Sequence, residues 1–160
     1  MNENKILFSF KNQNCFLKFI GETKFFDCPP LNSFINNTIS ENISDNFVFD
    51  LTECTYLDST SLGTIARTAN YVIEKGGLKP IIYSTNNDIN IILNSMGFGD
   101  AFTIIEGKPE EENFDLITPE KICSKEIADM ILTAHKTLSD MNEKNFESFK
   151  DVIKYMDKSI

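Results

Sequence analysis

The run NFVFDL, at residues 46–51, is the feature that most constrains the fold of this chain. Its β-branched and aromatic residues form a stretch too short for a helix, which predicts a buried central strand. After the hydroxyl-rich segment YLDSTSLG, at 56–63, six apolar residues recur at helical spacing: Leu62, Ile65, Ala66, Ala69, Val72 and Ile73. This pattern predicts an amphipathic helix directly behind the strand, with the hydroxyl residues at the start of that helix.

Other strands and helices alternate around this unit. Two short apolar runs near the beginning, joined by the polar turn KNQN, predict an antiparallel pair. The predicted strands are 5–10, 15–20, 46–51, 80–84 and 101–105. Three helices are predicted to begin near Pro29, Ser59 and Thr85. The resulting order, ββαβαβαβ, alternates strand and helix in its later half, which implies parallel pairing through right-handed crossovers.

A charged, proline-containing segment, EGKPEEENFD at 106–115, marks the predicted end of the core domain. We therefore expect a domain at residues 1–115 and a helical extension at 116–160, starting at Thr118-Pro119-Glu120. Two apolar stripes lie in this extension, one residue out of phase, which predicts two helices with a turn at 142–145. These helices either pack on the core or form a dimerisation or partner-specificity element. The short, narrow stripes favour packing.

Composition excludes several classes of protein. A chain of 160 residues fits one domain with a short appendage. Its net charge of −9 argues against a nucleic-acid surface and against non-specific adhesion to anionic lipid. No stretch approaches the ~18 apolar residues of a membrane span, and no leader pattern opens the chain. We expect a cytoplasmic protein, a monomer or weak dimer, without direct membrane insertion. The four cysteines form no CxxC pair, and we expect no disulfide framework.

The chain offers few groups for catalysis. Its one histidine, His135, is distant in sequence from any candidate nucleophile, and we expect it at the surface or the core edge. A nucleophilic serine in a strand-to-helix turn needs small flanking residues and a histidine, and Tyr56, Leu57 and Asp58 do not fit that pattern. The glycines of GFGD are too few for a phosphate loop, and the acidic residues at 110–112 are interpreted as a linker. We expect no enzyme, cofactor or metal.

The three consecutive hydroxyl residues exceed what a helix start requires. Asp58 or Ser59 is expected to cap the helix by accepting a hydrogen bond from a free backbone N–H. A phosphate at this position would meet unpaired N–H groups and the positive end of the helix dipole, so the fold should tolerate it. Its bulk and charge would act on whatever docks there. The segment is therefore a candidate binding switch.

With these elements in this order, residues 5 to 105 resemble the STAS domains of bacterial anti-sigma-factor antagonists. The resemblance rests on FVFDLTECTYLDSTSLG, the helix after it, the GG pair with its strand, and INIILNSMGFGDAF. DSTSLG at 58–63 is similar to the family motif Asp-Ser-Ser/Thr-Gly-Leu-Gly. Ser61 stands where the family commonly has glycine, and Lys24 where a Gly-x-x-Asp pattern has its aspartate. The resemblance implies an α/β fold with a STAS-type mixed sheet and helices packed on it. The predicted C-terminal two-helix extension lies outside the resemblance.

The resemblance also implies partner switching. In that family the serine directly after the aspartate is phosphorylated by a partner that is both kinase and binding target, and the matching residue is Ser59. The unphosphorylated protein would bind a serine kinase or anti-sigma factor with a histidine-kinase-like ATPase fold. A PP2C-type phosphatase would restore binding after phosphorylation. The expected partner surface comprises Asp58, Thr60, Ser61, Leu62, Gly63, Thr64 and Arg67.

A second interpretation stays open. STAS domains also serve as accessory subunits of membrane transport complexes, such as lipid-exporting ABC systems, where the domain stabilises an ATPase and need not be phosphorylated. A ligand-sensing role is a third possibility, although no segment resembles a cofactor-binding motif. The Asp-Ser pair favours the switching interpretation.

Overall fold

The computed structural model describes residues 3–110, 112–118 and 123–159. Its strands are β1 (Lys5–Lys11), β2 (Asn14–Thr23), β3 (Asn46–Leu57), β4 (Ile81–Tyr83), β5 (Thr103–Ile105) and β6 (Asp115–Leu116). Its α-helices are α1 (Cys28–Ser40), α2 (Ser59–Glu74), α3 (Asn87–Ser95), α4 (Phe98–Ala101), α5 (Ser124–Met141) and α6 (Glu143–Ser159). A short 3₁₀ turn at Phe25–Asp27 precedes α1.

The strands form one mixed sheet in the order β5-β4-β3-β2-β1-β6. β1 and β2 are an antiparallel hairpin whose turn residues, Asn12 and Gln13, both have positive φ. From β2 to β5 all neighbouring strands are parallel, with helices in the crossovers from β2 onward. The predicted α/β fold, with a mixed sheet, packed helices and C-terminal helices, is confirmed.

Several predicted boundaries differ from the structure. β3 continues to Leu57, six residues past its predicted end, because it pairs along the whole of the long strand β2. Asn86, rather than Thr85, caps α3, since its side chain accepts a hydrogen bond from the Asp88 N–H. The predicted domain boundary after residue 115 falls within β6, a sixth strand that pairs antiparallel with β1. The division of the chain into 1–115 and 116–160 remains a prediction.

The core lies between the sheet and the helices. Five phenylalanines are fully buried there: Phe19, Phe47, Phe49, Phe98 and Phe102. The apolar face predicted for α2 packs into this core through Leu62, Ile65, Ala66, Ala69 and Val72. Ile73, which belongs to the predicted face, is 55% exposed, because the helix reaches its last turn at the rim of the sheet. The core thus fixes α2, and with it the hydroxyl-rich segment.

The C-terminal helices form a hairpin, α5–α6, that packs on the outer side of α2. The turn predicted at 142–145 corresponds to Asn142, which separates the two helices. Leu138 of α5 belongs to the main core cluster, and Met141 and Phe149 pack against that cluster. The predicted helix start at Thr118-Pro119-Glu120 falls largely outside the described residues, and α5 begins at Ser124. Within the described part of the chain, no helix is both long and apolar enough to cross a membrane.

Candidate functional site

Asp58 caps α2 and also holds a second segment in place. Its Oδ1 accepts a hydrogen bond from the Ser61 backbone N–H at 2.9 Å, as expected for a helix cap. Its Oδ2 accepts a hydrogen bond from the Phe25 backbone N–H at 2.6 Å. One carboxylate therefore joins the start of α2 to the 3₁₀ turn that follows β2. Of the two capping candidates from the sequence, Asp58 is the cap.

Ser61 lies behind this cap and is fully buried. Its Oγ is 2.8 Å from the Thr23 carbonyl oxygen and 2.8 Å from Asp58 Oδ1, so its single proton is donated to one of two acceptors. The Cys28 Sγ lies 3.4 Å from the same hydroxyl. The serine that stands in place of the family glycine therefore links the helix start to the end of β2.

Thr60 and Thr64 lie one turn apart on α2 and are also buried, with 4% and 1% of their surface exposed. The Thr64 hydroxyl donates to the Thr60 carbonyl oxygen at 2.8 Å, within the helix itself. Leu62 between them is fully buried in the core. Every residue of the expected partner surface from Thr60 to Thr64 is therefore covered in this structure.

Ser59 is the first residue of α2 and is half-buried. Its Oγ lies 3.0 Å from Nε2 of His135, which is on α5 and 76 residues away in sequence. The distance between the two residues along the chain gave no indication of this contact. The histidine is 9% exposed and reaches Ser59 because the hairpin crosses the start of α2.

The surroundings of His135 decide what this contact can do. Burial lowers the pKa of His135, and the negative charge of Asp58 opposes that shift. The ring stacks on Phe149 of α6, with centroids 5.3 Å apart. Its Nδ1 is buried and has no hydrogen-bond partner among the described residues. A serine nucleophile relies on a histidine whose Nδ1 is held by a carboxylate or similar group. The pair is accordingly described best as a hydrogen bond between two helices.

Gly63 is a point of close approach between α2 and α5. A Cβ placed on Gly63 would lie 2.2 Å from the Ala134 carbonyl oxygen and 2.7 Å from the Ala134 Cα. These neighbours are backbone atoms, so no side-chain rotation would relieve the clash. Only glycine allows the two helices to meet at this distance, which places α5 directly over the DSTSLG segment.

Arg67 lies about one turn beyond Gly63 on α2. Its guanidinium donates hydrogen bonds to the side-chain oxygens of Asn32 and Asn36, both on α1. Burial lowers its pKa from the usual value for arginine. Arg67 thus joins α2 to α1 and stands apart from the residues gathered around Ser59.

Three exposed aromatic side chains border the site, and the sequence patterns placed none of them on the expected partner surface. Phe25, Phe26 and Tyr56 are 44%, 59% and 45% exposed. Phe25 is tied to the site through Asp58, and Lys24 lies over the Tyr56 ring with its Nζ 5.7 Å from the centroid. The adjacent phenylalanines Phe25 and Phe26 fit no apolar periodicity of a strand or helix, and this was the one sign in the sequence that they could be exposed. No group of His, Cys, Asp or Glu in the described ranges is arranged to hold a metal ion.

The strand order and the helices packed on the sheet define a mixed α/β domain, in which the capped, hydroxyl-rich start of α2 directly follows the long central strand β3. A family model for the STAS domain matches residues 6–111. Because this match covers more than half of the chain, the protein belongs to the STAS domain family. The comparison with curated proteins gave no match.

Two solved structures share the fold. One is the structure of the anti-sigma factor antagonist SpoIIAA in its unphosphorylated form. It matches with a TM-score of 0.53 and 9% sequence identity, and the match covers 68% of this chain and 90% of that protein. The other is the structure of the Bacillus cell fate determinant SpoIIAA in the phosphorylated form. It matches with a TM-score of 0.52 and 10% sequence identity, and the match covers 66% of this chain and 92% of that protein.

Proposed function

We propose that this protein is a regulatory binding module of a bacterial partner-switching pathway, similar to anti-sigma-factor antagonists. In its unphosphorylated form it binds a serine kinase or anti-sigma-type partner, and phosphorylation at Ser59 releases that partner. The observation that carries the proposal is the position of Ser59, which directly follows the Asp58 cap as the first residue of α2 in a STAS domain.

The chemistry of the helix start supports this role. The first backbone N–H groups of a helix and its dipole favour an anion, so a phosphate on Ser59 has a stabilising environment. The hydrogen bonds of the cap and of the Ser61 network run to the 3₁₀ turn and to the end of β2, and do not involve the Ser59 hydroxyl. Two similar structures, which represent an anti-sigma factor antagonist in unphosphorylated and phosphorylated forms, add support.

The partner surface in this proposal is the N-terminal half of α2 with its borders. It comprises Asp58, Thr60, Ser61, Leu62, Gly63 and Thr64, and Arg67 is a rim contact. The kinase partner has a histidine-kinase-like ATPase fold, and a PP2C-type phosphatase removes the phosphate. The exposed aromatic residues Phe25, Phe26 and Tyr56 extend the same surface.

Phosphopeptide mapping of the protein from its own cells, compared across growth conditions, tests the modification. We expect phosphate at Ser59 under at least one condition. In affinity capture, Ser59→Ala should retain a kinase-type ATPase and Ser59→Asp should lose it. Ser124 is a matched control, because it is also the first residue of an α-helix and is exposed. Equal capture by both Ser59 variants, with no phosphate under any condition, would remove the basis for the switch.

One observation favours the alternative role as an accessory subunit of a lipid ABC-type transport complex. The Ser59 hydroxyl already has a partner in His135, and an unmodified serine is compatible with a purely structural contact. The same capture experiment separates the two functions. Transporter subunits in place of a kinase or a PP2C phosphatase would support the transport role.

A further inference from the structure

The proposed partner surface and the α5–α6 hairpin occupy the same place. His135 hydrogen-bonds to Ser59, and the Ala134 backbone lies against Gly63, so α5 covers the first two turns of α2. A protein-sized partner and α5 cannot contact Gly63 at the same time, because α5 leaves no room even for a methyl group there.

The start of α2 does not depend on this cover for its own structure. Asp58 caps the helix from the side of the 3₁₀ turn, and Thr64 donates its hydroxyl proton within the helix. The apolar face of α2 packs on the sheet through Leu62 and Ile65. Removing α5 would therefore break the hydrogen bond between Ser59 and His135 but leave the cap, the Thr64 hydrogen bond and the packing of α2 on the sheet in place.

The closed arrangement buries one polar atom of α5 that lacks a hydrogen bond within the described part of the chain, the Nδ1 of His135. The Nδ1 of His135 is buried without a hydrogen-bond partner among the described residues, and its desolvation opposes closure. Opening the hairpin would return this atom to water. Burial of Met130, Leu132 and Leu138 favours closure. The same helix therefore makes one contribution that stabilises the closed arrangement and one that destabilises it.

We propose that the α5–α6 hairpin is an internal, removable cover of the Ser59 surface, which must move away before a kinase-type partner can dock. The inference rests on the proposed function, because the covered residues are those assigned to the partner. A partner that binds only the open state has an apparent affinity reduced by the open fraction. The hairpin thus competes with the partner from within the same chain.

Hydrogen exchange of the full-length protein tests the cover without any kinase or partner. In the wild type, α5 amides near Ala134 should exchange at least tenfold faster than β3 amides, because the hairpin opens while the sheet stays folded. Equal exchange of α5 and β3, through global unfolding alone, would overturn the proposal.

A pair of variants on α5 provides the second arm. Ala134→Leu enlarges a buried residue against α2, whereas Thr133→Leu makes a similar change on the exposed side. Both are combined with Ser59→Cys and with Cys123→Ser, since Cys123 is the exposed native cysteine. Labelling of residue 59 by a polymer-linked maleimide should become at least tenfold faster with Ala134→Leu and remain within twofold with Thr133→Leu.

Cys15 and Cys54 are buried and report global unfolding in the same molecules. If Ala134→Leu labels them as fast as residue 59, the variant has unfolded, and the wild-type exchange data decide. Unchanged labelling of residue 59 in a folded Ala134→Leu variant contradicts a removable cover. These results are independent of phosphate at Ser59, so the cover and the proposed switch can fail separately.

Discussion

Adding one methyl group at Gly63 should separate the stability of the hairpin from that of the core. Within a helix, Gly→Ala is intrinsically favourable by about 0.5–1 kcal/mol. Here the new Cβ would lie 2.2 Å from the Ala134 carbonyl oxygen, so α5 has to move. Overpacking of this kind costs about 1–3 kcal/mol. The difference is a net loss of about 0–2.5 kcal/mol. Because the clash is with backbone atoms that no rotamer change can move, we expect the upper part of this range, about 1–2 kcal/mol in the free energy of unfolding, for Gly63→Ala.

Urea unfolding measures this loss, and a thermal melt should show it as a fall of about 2–8 °C in the midpoint, given the size of the protein. Gly99→Ala is the matched control, because Gly99 also lies in a helix and a Cβ placed on it would meet no neighbouring atom within 4 Å. Exchange of α5 amides should increase in Gly63→Ala and not in Gly99→Ala. A Gly63→Ala protein as stable as the wild type would refute the close approach of α2 and α5.

Two further perturbations test the site. The pKa of His135 lies below its usual 6.5 in the closed protein, so as pH falls below 6.5 the imidazole binds a proton more readily when it is released, and closure loses stability. The free energy of unfolding, measured with urea at pH 7.5 and 5.5, should therefore fall more for the wild type than for His135→Gln. An equal fall for both proteins would contradict this. Ser61→Gly removes the hydrogen bond toward β2 and adds a helix glycine, so it should cost about 1–2 kcal/mol in the free energy of unfolding measured with urea. No loss would count against the Ser61 network.

Much of the fold was predictable because it follows from local patterns. The apolar run that forms β3, the amphipathic spacing of α2 and the order of the elements specify the mixed sheet. The cap at Asp58 and the position of Ser59 at a helix start were predictable for the same reason. Strand ends were less predictable, since β3 is extended by its pairing with β2 and carries register shifts there.

The cover over Ser59 was not predictable from the sequence. The spacing of apolar residues in α5 shows that it has a buried face, but not which helix that face meets. The contact between Ser59 and His135 joins residues 76 positions apart and depends on the tertiary position of the hairpin. β6 was missed because two residues carry no periodicity, and its pairing with β1 depends on the path of the chain after β5.

Both edges of the described sheet end in very short strands. β5 has three residues and β6 has two, so each of these edge strands presents few backbone groups to another chain. A long exposed edge is a template for strand addition and for aggregation, and short edge strands are a common protection against both. Strand addition onto β5 or β6 is therefore disfavoured, and any pairing of another chain with this sheet would have to use the parts of β1 and β3 that β6 and β4 leave uncovered.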